Sequence, residues 1–223
     1  MKGCLLLHGF TGGSCDMAPL GDMFNRENII THCPTLHGHD NPKKDLHRST
    51  YLDWIASAQQ GYEELSRQCS EIAVIGFSMG GLLAFHLTQQ YQPKCMVTMG
   101  TPIYCLDGIN IFEDISHAVK SKNYLRLLDY TTFFRIPLKA NYHFVKTLRS
   151  AKPLVKKLNV PLLVVQGKKD PLVRARSAQY IYDHAQTTQK EIRYYDQTTH
   201  RFCDSFETSM IFEDIVSFVS NHL

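Results

Sequence analysis

No apolar run in this 223-residue sequence approaches the roughly 20 residues needed to cross a bilayer, which argues against a membrane-spanning helix. No leader is expected either. Met1-Lys2-Gly3 runs within a few residues into motif-bearing sequence, leaving no room for a signal peptide, so a cytoplasmic protein is expected. Charge is not segregated: 24 basic and 21 acidic side chains are spread along the chain for a net +3, so there is no basic footprint for nucleic acid. The small group Lys152, Lys156 and Lys157 is read as a solvated helix face. The seven cysteines are odd in number and never spaced Cys-x-x-Cys, which argues against both a disulfide framework and a zinc site. They are expected to be reduced and mostly buried. Internal repeats are absent too.

What is present is enough apolar mass, 43% of residues, for one α/β domain with an insertion. Short apolar strands alternate with amphipathic helices, the pattern of a mainly parallel sheet covered on both faces. Strands are expected at 4–7, 28–33, 72–77, 95–99, 161–166 and 191–195, about six in all. Helices are expected at 17–26, at 51–67 (Tyr51, Ile55, Ala58, Tyr62 and Leu65 at helical spacing), after residue 78, at 175–185, and from about 210 onward. Residues 103–158 break the alternation. Their aromatic and aliphatic residues, among them Ile109, Phe112, Phe134 and Phe144, show no strand pattern and read as a small helical cap inserted after the strand 95–99. The expected division is a core of 1–102 and 159–223 with a cap of 103–158.

Chemistry is most legible at Ile72-Ala73-Val74-Ile75-Gly76-Phe77-Ser78-Met79-Gly80-Gly81, where a β-branched run breaks into Gly-x-Ser-x-Gly and then into helix-forming sequence. This is the form of a nucleophile elbow, in which the serine adopts a strained backbone conformation and its neighbours two residues away must lack bulk. The same turn puts Ser78 at a helix N-terminus, where unpaired N–H groups favour developing negative charge.

A serine nucleophile needs a base, a group to orient that base, and donors for an oxyanion. Asp170 follows the strand 161–166 and His200 follows the strand 191–195, both at carboxyl ends and therefore on the side of the sheet where Ser78 lies. An aspartate before proline ordinarily just opens a turn, and His200 is one of eleven histidines. The order serine, aspartate, histidine on three strand ends is what singles them out as catalytic candidates. The expected oxyanion donors are the backbone N–H groups of Met79 and of Phe10, the latter in the loop His8-Gly9-Phe10-Thr11-Gly12-Gly13. His8, which precedes the nucleophile, is expected to support that loop.

With these motifs, joined by Leu36-His37-Gly38-His39 and Gly100-Thr101-Pro102, the chain resembles the α/β-hydrolases over nearly its whole length, most of all the small bacterial carboxylesterases and monoacylglycerol lipases. The resemblance implies an acyl-enzyme mechanism, a cap shaping an acyl pocket, and no metal or organic cofactor. The implied function is hydrolysis of small-molecule carboxylic esters of short to medium acyl chains, with an acyl thioesterase or a slow-turnover ligand receptor of the same fold as alternatives. Three departures stand out. The His-Gly strand starts almost at Met1, so two strands common in relatives are expected to be missing. Thr198-Thr199 replaces the usual Ser-Gly before the histidine, and Arg201 follows it, either lowering the histidine pKa or meeting a polar or anionic substrate group. Asp40 stands where glycine is frequent, a change expected to concern loop shape.

Overall fold

The computed structural model describes residues 1–40, 45–104 and 136–223. Most of the expected cap, with the seventh cysteine, Cys105, therefore lies outside the described residues. Six strands form one sheet: β1 (Lys2–Leu7), β2 (Ile30–His32), β3 (Glu71–Phe77), β4 (Cys95–Met99), β5 (Leu162–Gly167) and β6 (Lys190–Tyr195). Their order is β2-β1-β3-β4-β5-β6 and every pairing is parallel. The described helices are α1 (Ala18–Arg26), α2 (Tyr51–Ser66), α3 (Met79–Gln90), α4 (Leu138–Ala151), α5 (Ala175–His184) and α6 (Thr208–Ser220).

Strand side chains alternate between two cores. Leu5, Leu7, Val74, Met96, Leu162 and Val164 point to the face covered by α2, α3, α4 and α5. Cys4, Leu6, Ile75, Val97, Leu163 and Val165 point to the other, covered by α1 and α6. Burial on both faces explains why these strands read as unbroken apolar runs instead of alternating ones. The edge strand β2 is shorter than the expected 28–33 because Asn28 takes φ 59° and its N–H turns back to the Asn25 carbonyl. Of the six described cysteines only Cys4, Cys69 and Cys95 are buried; Cys33 is half-buried, and Cys15 and Cys203 are exposed, so the expectation of mostly buried thiols is only half met.

Two features aim this scaffold at the end of β3. Helix α2 starts in a capping box, with the Asp53 carboxylate accepting from the Thr50 N–H at 2.8 Å, and the Thr50 hydroxyl from the Asp53 N–H. It carries the fully buried Trp54, whose Nε1–H donates to the His37 carbonyl at 3.2 Å and pins the His37-Gly38-His39 loop. Helix α4, within the range expected to form the cap, packs on α3 through the buried Ala140, Thr147 and Ala151, with His86 of α3 hydrogen-bonded to Ser150. A short 3₁₀ segment, Lys152–Lys157, follows α4. Lys156 and Lys157 are exposed as expected, while Lys152 is half-buried, its ammonium 4.3 Å from the centroid of the Tyr104 ring. Among the described residues no helix is long and apolar enough to cross a membrane.

Candidate active site

Ser78 caps α3 with φ 51° and ψ −117°, a conformation that only a tightly determined turn holds for a non-glycine residue. Its N–H donates to the Met99 carbonyl of β4 at 2.8 Å, and its carbonyl accepts from Gly81 at 3.0 Å. Glycine is required around it by contact. A Cβ on Gly76 would strike the Gly80–Gly81 backbone, and one on Gly80 the Leu7 carbonyl, so β1, β3 and α3 close up on one another only because these atoms are missing.

The structure brings Ser78, Asp170 and His200 together from the ends of β3, β5 and β6. His200 Nε2 is 3.0 Å from Ser78 Oγ, and His200 Nδ1 is 2.7 Å from Asp170 Oδ2. A carboxylate only accepts, so Nδ1 carries the proton, and Nε2 of the neutral ring is the acceptor for the serine hydroxyl. The Asp170 side chain is fully buried and fully used: Oδ1 accepts the N–H groups of Leu172 and Val173 at 2.9 and 2.8 Å, and Oδ2 accepts the Gln166 amide at 3.4 Å beside His200. Gln166 was not singled out by sequence, since one amide at the end of a buried strand carries no signal. Gly100, at φ 54°, brings its backbone under the pair, with Asp170 Oδ2 and His200 Cε1 both 3.4 Å from where a Cβ would be.

The Phe10 loop lies against the elbow, a Cβ on Gly9 being 3.3 Å from that of Ser78. Among the described residues no group accepts a hydrogen bond from the Phe10 or the Met79 backbone N–H. His8 supports the loop as expected: its Nδ1–H donates to the Gly9 carbonyl at 2.9 Å while Nε2 accepts the Leu36 N–H at 3.2 Å, joining the loops after β1 and β2. Burial lowers its pKa, keeping it neutral for both bonds. His39, packed 5.1 Å from the His8 ring, is pushed down to about 4, first by burial and then by its neighbour. The Phe10 ring stacks on Phe144 of α4 at 5.0 Å and meets Trp54 at a tilt, 5.4 Å between centroids.

Above Ser78 and His200 lies a cavity of about 900 Å³, mainly apolar, lined among others by Phe10, Met17, Leu20, Ile103, Phe144 and Val173. Arg201 also lines it, but Arg201 Nε is 2.5 Å from Asp204 Oδ2 in an exposed i, i+3 pair, so its charge is turned toward that aspartate. The loop bearing His200 is held by Glu207, whose carboxylate accepts the N–H groups of Asp196 and Gln197 and the Thr198 hydroxyl, the last at 2.6 Å. Those hydrogen bonds, chiefly that from Thr198, hold the Glu207 pKa below the usual carboxylate range. Among the described residues no group of three or more His, Cys, Asp or Glu is arranged to hold a metal ion.

Comparison with known proteins gives a consistent picture. A family model described as serine aminopeptidase, S33, matches residues 112–207, a stretch that includes Asp170 and His200 but not Ser78. A carboxylesterase from Bacillus subtilis (strain 168) is 26% identical over 229 residues, covering 98% of this chain and 92% of the relative. A thermostable monoacylglycerol lipase from Bacillus sp. (strain H-257) is 25% identical over 231 residues, covering 99% and 91%. A solved structure of the metagenome-derived lipolytic enzymes LipS and LipT superposes with a TM-score of 0.84 at 20% identity, covering 99% of this chain and 94% of that one.

Proposed function

We propose that this chain, which has the α/β-hydrolase fold and resembles the small bacterial carboxylesterases and monoacylglycerol lipases of that fold, is a serine hydrolase of carboxylic esters. The observation that carries the reading is the relay of 3.0 and 2.7 Å from Ser78 through His200 to Asp170 at the floor of an apolar cavity. In this reading Ser78 Oγ attacks the ester carbonyl as His200 Nε2 takes its proton, and Asp170 stabilises the imidazolium. The Phe10 and Met79 N–H groups receive the oxyanion. His200 then returns the proton to the departing alcohol, leaving an acyl-enzyme, and water repeats the cycle to release the acid and regenerate Ser78. The insertion, residues 103–158, acts as the cap, with Phe144 and Val145 of α4 on the cavity wall. A cavity of this size holds a modest acyl group, which supports short to medium chains as the preferred substrates.

The test is turnover of p-nitrophenyl esters from acetate to palmitate, with thioesters and aminoacyl anilides in parallel. kcat/KM should rise with chain length by up to about 0.8 kcal/mol per buried methylene and then turn over at medium length. Ser78→Ala should abolish both turnover and fluorophosphonate labelling while the protein stays folded. Labelling that persists on another serine, or a reaction that stalls after one equivalent, counts against the reading; faster thioester or anilide cleavage reassigns the substrate.

A further inference from the structure

Five Asp, Arg and His side chains line the cavity among the described residues: Asp16, Arg176, His200, Arg201 and Asp204. His200 belongs to the relay, and Arg201 and Asp204 pair with one another. Asp16 accepts the Gly13 N–H at 3.1 Å, within the loop after β1. Arg176 is left without a carboxylate partner among the described residues. Its guanidinium carbon lies 4.6 Å from the centroid of the Tyr104 ring, and the Lys152 ammonium lies 4.3 Å from the same centroid and 5.1 Å from that of Tyr180. Two cations thus converge on one aromatic ring, which attracts each of them but does not cancel their mutual repulsion. The ring is fixed: the Tyr104 N–H donates to the buried Ser177 hydroxyl at 3.0 Å, that hydroxyl lies 3.3 Å from the Tyr104 carbonyl, and Tyr104 meets Tyr180 edge-on at 5.6 Å.

Tyr104 follows β4, Lys152 opens the 3₁₀ segment after α4, and Arg176 lies in the first turn of α5, whereas Asp16 follows β1. A negatively charged group on an ester bound in the cavity meets in Arg176 a cation with no carboxylate partner among the described residues, and such a pairing favours one orientation of the substrate. The same lining carries Ile103, Leu172 and Val173, close in sequence to Tyr104 and Arg176, which suits a carboxylate at the end of a hydrocarbon chain. We propose that Arg176, seated on Tyr104 and reinforced by Lys152, is a subsite for a carboxylate carried by the substrate, and that the preferred esters are monoanions such as half-esters of dicarboxylic acids. This rests on the ester-hydrolase reading and names its substrate class.

The experiment compares monoethyl adipate with ethyl hexanoate, an ester of equal acyl length without the charge, by pH-stat at low ionic strength. For the unaltered protein kcat/KM should favour the monoanion at least tenfold. In Arg176→Gln the ratio of the two values should fall at least tenfold, in Lys152→Gln about threefold, and salt at several hundred millimolar should compress it. An unaltered protein that hydrolyses ethyl hexanoate as well as or better than the monoanion, or an Arg176→Gln protein with the same ratio, overturns the subsite and leaves the hydrolase reading standing. Calorimetric titration of free adipate into the unaltered and Arg176→Gln proteins separates the other case. Arg176-dependent binding of adipate with neither ester hydrolysed supports the subsite and overturns the ester reading; no Arg176-dependent binding counts against the subsite.

Discussion

His39 is 4% exposed, its ring beside those of His8, Phe10 and Trp54, and its Nε2 has no hydrogen-bond partner among the described residues. Its pKa in the folded chain is pushed down to about 4 against about 6.5 in the unfolded one. Between those values the unfolded state binds a proton that the folded state does not, so stability is complete above pH 6.5 and falls as the pH drops toward 4. The slope is about 1.4 kcal/mol per pH unit, and about 3 kcal/mol over the whole window. Urea unfolding at pH 7 and pH 4.5 should therefore show His39→Gln losing about 2 kcal/mol less than the unaltered protein, since glutamine takes up no proton. Equal losses would mean that the ring is protonated where it stands. His8, likewise lowered by burial, contributes in the same direction in both proteins.

Glu207 works at the scale of an element, closing the segment between β6 and α6 on which His200 is carried. Each Glu207 oxygen accepts a backbone N–H, so the amide N–H₂ of Glu207→Gln faces a donor whichever way it is seated and at least one bond is lost, at about 1 to 3 kcal/mol. If that segment aims His200, kcat falls about tenfold with KM within a factor of two; a lower Tm with kcat unchanged assigns Glu207 to the fold alone. Strands β1, β3, β4 and β5 were legible because burial on both faces leaves runs of apolar residues, and α2 because Thr50 and Asp53 cap a periodic segment. The meeting of Ser78, Asp170 and His200 was legible from their places at the carboxyl ends of parallel strands. Glu207 and Gln166 were not, because a hydrogen bond between loops leaves no period in the sequence. His222 was expected on the last helix but lies past its end, where Nδ1 donates to the Phe218 carbonyl at 2.7 Å. For Lys152 the sequence pointed outward, while the Tyr104 ring, in contact through the fold alone, draws it in.

The molecule as a whole is a sheet between two apolar layers, with the loops that matter gathered at one edge. All six strands are parallel, so no two neighbours in the sheet are joined by a hairpin, and each pairing waits on a crossover. His200 is 122 residues from Ser78 and 30 from Asp170 along the chain, and their hydrogen bonds cannot form until β3, β5 and β6 have found their places. Contacts so distant in sequence are slow to form, because loop-closure entropy must be overcome before they reward it. On dilution from denaturant, helical circular dichroism should recover before hydrolytic activity, and fluorophosphonate labelling should follow activity and not the dichroism. Simultaneous recovery of all three would mean that the strand ends assemble together with the helices. With the expected lag, Ser78 as the proposed nucleophile reports on the last stage of folding, and a chain still maturing in the cell would bear an inert hydroxyl there until its sheet is complete.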